Sequence, residues 1–210
     1  MINIGITLLA LSLAVLSGNG LSQEQEEVNV YAAYLNTAYI NKHFSDRRFS
    51  NKPFTMIVIS NLTSGFDHPF SYRVAIAQLS PKPEKDTVED FLTRNDGDYP
   101  KSSLTDATMK VIGRYPLNSH IKFKLPHVLI SDAEIGRLFR KGEWEDFCAR
   151  YPTSRGIVRL SRVGFNKNKT QALLYFAGQY APAAGEGYLI LLGKTSSEWK
   201  IITQVTVWIS

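Results

Sequence analysis

The chain has 210 residues, 44% hydrophobic and 20% charged, which is ordinary globular composition and enough to bury a core of its own. Its 24 Lys plus Arg against 19 Asp plus Glu leave a charge of +5, compatible with an anionic partner and too mild to demand nucleic acid.

The beginning carries no charged side chain before Glu24, and an apolar run extends from Ile4 to Leu16. A bilayer span needs roughly 20 apolar residues, whereas a secretory leader needs roughly 7 to 15, so the run reads as a leader. Ser17, Gly18, Gly20 and Ser22 supply small residues for cleavage, although only the amino terminus supplies positive charge. Residues 1–22 are therefore expected to be a signal peptide, 23–210 a single α+β domain, and the protein exported, periplasmic or secreted. The one cysteine, Cys148 in "EWEDFCARY", leaves no internal disulfide to form. Beside Phe147 and with no His nearby, it is expected to be a buried, inert thiol.

The mature part opens with a helix, "EEVNVYAAYLNTAYINKHF", whose acids Glu24, Glu26 and Glu27 suit the positive end of the helix dipole. "FTMIVIS", Phe54 to Ser60, reads as a strand, and "YRVAIAQL", Tyr72 to Leu79, as a less regular second one. A helix is predicted from near Asp86 or Thr87, ending at "NDGD" with Gly97 as the stop; that run lacks the spacing and final Glu of a calcium loop. Ser131 and Glu134 form a capping box for "SDAEIGRLF", with Ile135, Leu138 and Phe139 as its apolar face. Gly142 separates it from a further helix, "EWEDFCARY". From Gly156 onward four strands follow, "GIVRLSRVGF", "TQALLYFAG", "GYLILLGK" and "WKIITQVTVWIS", joined by polar or Gly/Pro turns. Tyr188 to Leu192, apolar throughout, is the expected centre of an antiparallel meander, and the last strand sets Ile201, Val205, Val207 and Ile209 on one face. The fold class is α+β, an antiparallel sheet with helices packed on one face.

"GEGYLILLGKTS" ends in the Gly-Lys-Thr of a phosphate-binding loop, but the pattern fails around it. Tyr188 stands where the first Gly belongs, and "YLILL" and "SSEWKIITQVTVW" are strand material on both sides. Gly193 to Glu198 is read as a hairpin turn, with no nucleotide bound. Ser197 and Lys200 form a Ser-x-x-Lys that nearly overlaps "KTS", the wrong order for a penicillin-binding enzyme. His43, His68, His120 and His127 occur singly, without metal spacing. No cofactor or metal is expected. Asn61-Leu62-Thr63 and Asn168-Lys169-Thr170 match the glycosylation acceptor pattern, which bears only on a eukaryotic source. From Phe147 to Gly185 there is no acid, while Arg150, Arg155, Arg159, Arg162, Lys167 and Lys169 are basic. On a regular strand Arg155 and Arg159, four apart, share a face, and a bulge near Arg162 would bring it round to join them as an anion site.

The block from "YP" through "LSRVGFN", "QALLYF" and "GEGYLILL" to the closing "WIS", with "DFLTRN" and "VYAAYLN" upstream, resembles an uncharacterised family of exported bacterial proteins. The resemblance implies export and a shared fold, and no catalytic residue. The strand block also resembles, loosely, the curved sheets of cystatin-like and nuclear-transport-factor-like domains. The expected function is a noncatalytic binding domain for an anionic or envelope partner. Two alternatives stand beside it: a small hydrolase or isomerase with a pocket under the sheet and a His or Asp base, and an assembly protein presenting an edge strand such as "TVWIS".

Overall fold

The structure, a computed structural model, describes residues 22–43, 54–63, 69–95, 116–117, 121, 123–140 and 144–210. Residues 1–21 of the expected leader, Gly97, Gly142, His68 and His120 lie outside these residues. Helix α1 (Gln23–Tyr34) runs through a π turn (Leu35–Tyr39) into α2 (Ile40–His43). Strand β1 (Met56–Ser60), α3 (Pro69–Gln78), α4 (Lys85–Asn95), β2 (His127–Ile130), α5 (Asp132–Leu138) and α6 (Trp144–Arg150) follow. The carboxyl-terminal block is β3 (Ser154–Leu160), β4 (Gly164–Phe165), β5 (Gln171–Ala181), β6 (Ala184–Thr195) and β7 (Glu198–Ile209).

The seven strands form one mixed sheet in the order β2-β1-β3-β5-β6-β7, with β4 paired to β5. β3, β5, β6 and β7 make the expected antiparallel run, and β1 and β2 extend it by parallel pairing. The class is α+β, as the strand block implies. Helices on one face only is not the arrangement found. Leu174, Phe176, Ile190 and Leu192 pack under α1 with Tyr31, Tyr34 and Leu35, while Leu173, Tyr175, Leu189 and Leu191 pack with Tyr72 of α3 and Phe91 of α4. The reason lies in "ALLYF" and "YLILL", apolar at every position, so that both faces of the central strands need cover.

Three local expectations are corrected. Tyr72–Leu79 lies in and just after helix α3, with Tyr72, Ala75 and Leu79 buried at helical spacing and Val74 at 42% exposure. Tyr72 meets Phe91 and Tyr175 edge-on at 5.0 and 5.5 Å. Cys148 is exposed, because α6 and the turn after it bury Trp144, Phe147 and Tyr151 and so turn residue 148 outward. In β7, Leu192 pairs with Ile201 but Leu191 with Thr203, a bulge that sends Ile201 to the α1 face and leaves Val205 and Val207 on the other. Ile209 is 72% exposed. The cap at Ser131 is present, accepting from the Glu134 N–H at 3.1 Å, and the Glu134 carboxylate takes the Tyr151 hydroxyl at 2.7 Å, tying α5 to α6.

Candidate functional site

The three arginines of the expected anion site go to three different places. Met56 pairs with Ser154 and Val58 with Ile157, so Arg155 and Gly156 together oppose Ile57 in a bulge. Gly156 fits there because a Cβ would meet the Gln179 carbonyl oxygen at 2.1 Å. One extra residue reverses the alternation. The Arg155 guanidinium lies 4.8 Å from the Tyr180 ring and 5.9 Å from that of Phe54, close enough to Tyr39 to act on its phenol. Arg159 pairs across the sheet with Ala177, which packs on the α3–α4 side, so it is on the face opposite Arg155. Arg162 turns to α1, where its Nε donates to both Glu27 oxygens at 2.8 and 3.1 Å. The expected common face does not form.

Two consecutive acids of α1 are buried in ion pairs. Glu26, 3% exposed, accepts from Lys194 Nζ at 2.6 Å and Trp199 Nε1 at 2.9 Å. Burial would raise its carboxyl, but the bonds from Lys194 and Trp199 and the lysine charge outweigh it and hold the carboxyl below the ordinary 4.5. Lys194, the lysine of the apparent phosphate-binding loop, is thus paired with α1, and Ser196 and Ser197 make the tight turn between β6 and β7. Glu27 takes Arg94 Nη1 at 2.9 Å as well as Arg162. Burial raises its carboxyl above 4.5, and the two arginines recover only part of that. The Asn95 side chain closes the arrangement by donating to the Arg162 carbonyl and accepting from its N–H, each at 3.0 Å.

A further buried acid on the α1 side is Glu186 of β6, 8% exposed, which accepts the hydroxyls of Tyr180 at 2.8 Å and Tyr188 at 2.7 Å. Phe176 forms the floor, 5.1 Å from Tyr34, 5.4 Å from Tyr39 and 6.4 Å from Tyr188 between ring centres. The π turn contributes by keeping Leu35 and Tyr39 as well as the preceding Tyr34 on the buried side; such turns are frequent at functional sites. Burial, followed by the nearby Glu186 charge and neighbouring phenols, pushes Tyr34 and Tyr180 well above 10. Burial does the same to Tyr39, against the Arg155 charge. These phenols remain protonated donors at physiological pH. The cluster therefore gathers a carboxylate, a guanidinium and four tyrosines at one end of the sheet, with Arg155, Tyr180 and Phe54 half-buried at its edge. In the sequence Glu186 falls in the Gly/Pro turn between two expected strands. Its signal was an acid between two glycines: Gly185 and Gly187 leave room for Trp208 on one face while Glu186 faces the tyrosines on the other.

Elsewhere, His127 meets Phe123 edge-on at 4.7 Å, and among the described residues no group of three His, Cys, Asp or Glu could hold a metal ion. Asn168 and Thr170 are exposed in the β4–β5 turn, whereas Thr63 of the other acceptor pattern is buried. No helix among the described residues is long and apolar enough to cross a membrane. No family model, curated protein or solved structure matches the chain.

Proposed function

We propose that the chain is an exported, noncatalytic binding domain that takes a small anionic ligand at Arg155. The observation that carries this reading is the guanidinium laid on the Tyr180 ring at the half-buried edge of the tyrosine cluster. A stacked arginine keeps its N–H groups in a plane suited to a carboxylate or phosphate, and it has five donors to share among partners. A small ligand is favoured over an extended polymer because Arg159 and Arg162 do not line up with Arg155. Export through a leader over 1–22 belongs to the same proposal and is supported by the uncharged apolar start.

The test is thermal shift and calorimetry on the mature chain with acetate, benzoate, phosphate and sulfate, against Arg155→Gln and Arg159→Gln. One of these anions raises the melting temperature of the wild type and of Arg159→Gln, and leaves Arg155→Gln unmoved. Saturation at 100 times the dissociation constant adds about 2.7 kcal/mol. Equal binding by a folded Arg155→Gln would overturn the assignment.

One observation favours the enzymatic alternative: Glu186 is a buried carboxylate with two phenols on it, an acid–base pair of the kind a hydrolase or isomerase uses. Turnover of activated esters that disappears in Glu186→Gln would establish it. The edge-strand alternative has less support, since β7 is irregular opposite Leu191–Leu192 and Gly187–Tyr188, and bulged edges resist pairing with other chains.

A further inference from the structure

We propose that Glu26 is an acid-released latch between the first helix and the β6–β7 hairpin, and that its neighbour Glu27, in a separate pocket, takes no part in the release. Successive helical residues point about 100° apart, so these two side chains enter separate pockets. Glu26 meets Lys194 from β6, Trp199 from β7 and Asn29 of its own helix. Glu27 meets Arg94 from α4, with Asp90 behind it at 3.0 Å, Arg162 and the Val163 N–H from the β3–β4 link, and the Tyr31 phenol of its own helix.

The two pockets respond to a proton differently. Lys194 Nζ and Trp199 Nε1 are donors only, so a protonated Glu26 has lost the charge that holds the ammonium and can satisfy its partners only in part. The lysine also lies 5.5 Å from the Trp199 ring centre and pairs with Trp199 across the hairpin, so both partners are freed together. The Glu27 pocket lies on α4 and the β3–β4 link, away from the hairpin, where Asn95 holds the Arg162 backbone from both sides and Arg94 has Asp90, contacts in which Glu27 takes no part.

The linkage signs agree with this geometry. Glu26 is depressed in the folded state, so its contribution is fully present above 4.5 and is lost as pH falls through the folded value. Glu27 is raised, so the folded state binds its proton at least as readily as the unfolded chain does, and acid takes nothing from the fold at that position. Acidification below the ordinary glutamate range then loosens the Lys194–Trp199 end of the hairpin from the first turns of α1. Tyr31, Tyr34 and Leu35 keep the rest of the helix on the sheet.

The experiment follows the three indole N–H signals of the 15N-labelled full-length mature chain from about pH 7 to about pH 3. Trp199, assigned by Trp199→Phe, shifts and exchanges faster in a step below 4.5, while Trp208, bonded to the Tyr175 hydroxyl, does not follow it. Glu26→Gln, which keeps an acceptor and removes the titration, abolishes the step; Glu27→Gln keeps it. Lys194→Met, lacking the countercharge, moves the step up by about one pH unit or more. A Trp199 signal that does not move, a step that survives in Glu26→Gln, or a step abolished by Glu27→Gln would each overturn the latch. If Glu26→Gln fails to fold, the direction of the Lys194→Met shift decides alone.

Discussion

The indole of Trp208 on β7 lies across Gly187 on β6, where an added Cβ would meet its Nε1 at 2.1 Å. The same ring covers Gly185, whose Cβ would meet it at 2.9 Å, and its N–H is tied to the Tyr175 hydroxyl at 2.7 Å. An aromatic side chain over glycines on a neighbouring strand fills the space the missing side chains leave, and here it fixes the stretch that carries Glu186.

It follows that Gly187→Ala forces the ring off its site and costs about 1–3 kcal/mol, the range for overpacking a fitted interior. Urea unfolding measures it. The loss is expected to shrink in a Trp208→Ala background, since the two residues share one space. A Gly187→Ala protein as stable as the wild type would mean that the ring has another place to go.

Alkali destabilises the fold. The Tyr31, Tyr34, Tyr39 and Tyr180 phenols are raised above 10, chiefly by burial, so the unfolded chain gives up these protons first and stability falls as pH rises past 10. Each such phenol contributes about 1.4 kcal/mol per pH unit, and four together roughly 5, against a usual domain stability of about 5–15 kcal/mol. Absorbance at the phenolate band is expected to rise in a late step that coincides with loss of circular dichroism, within roughly one to three units above 10. A smooth titration of every tyrosine in a still-folded protein would contradict the burial of these four.

Lys194→Ala acts on stability and leaves nucleotide response unchanged. Removing the ammonium leaves Glu26 buried with Trp199 as its remaining donor from the hairpin, and losing one partner of a buried pair costs about 3–5 kcal/mol. ATP with Mg²⁺ leaves the melting temperature of wild type and variant where it was. A nucleotide-dependent rise that vanishes in the variant would restore the phosphate-loop reading.

The strand block was legible because its residues carry the information locally: "QALLYF" and "YLILL" are long apolar runs bounded by turn residues, and no other partner is needed to read them as strands. Tyr72 to Leu79 misled because Tyr72, Val74 and Ile76 alternate as a strand would, while burial at 72, 75 and 79 is decided by Phe91 and Tyr175, distant in sequence. Glu26 and Glu27 are legible as first-turn acids and nothing more. Their burial depends on Lys194 and Arg162, more than a hundred residues away. Arg155 is parted from Arg159 by the bulge at Gly156, where the Gln179 backbone comes close, and Arg162 lies past the end of β3 and answers to Glu27, again nonlocal facts.

Cys148 reacts as a surface thiol. It is exposed on α6, so an aromatic disulfide reagent labels the native chain once, without denaturant. Reductant leaves the monomer's melting unchanged, because the chain has one cysteine and no internal partner for it. Labelling that waits for denaturant would return the residue to the interior.

Proposed export bears on the first helix through Ser22. Ser22 is the cap of α1, its side chain accepting from the Gln25 N–H at 3.2 Å and its carbonyl from Glu26 at 3.1 Å. The small residues expected to admit a peptidase run from Ser17 to Ser22, so cleavage has a choice that matters to the fold. Removal through any residue up to Leu21 leaves the cap in place. Removal of Ser22 strips it within one turn of Glu26 and Glu27, the acids that dock the helix, and a lost serine cap costs about 1 kcal/mol. Intact mass of protein secreted by a host that processes it is expected to show a mature chain beginning between Gly18 and Glu24, and Ser22→Ala in a chain that keeps this residue to lose about 1 kcal/mol in urea unfolding. A mass that retains Met1 to Leu16 would end the export proposal. A mature chain beginning at Gln23 or Glu24 would leave export standing and show that the Ser22 cap is dispensable.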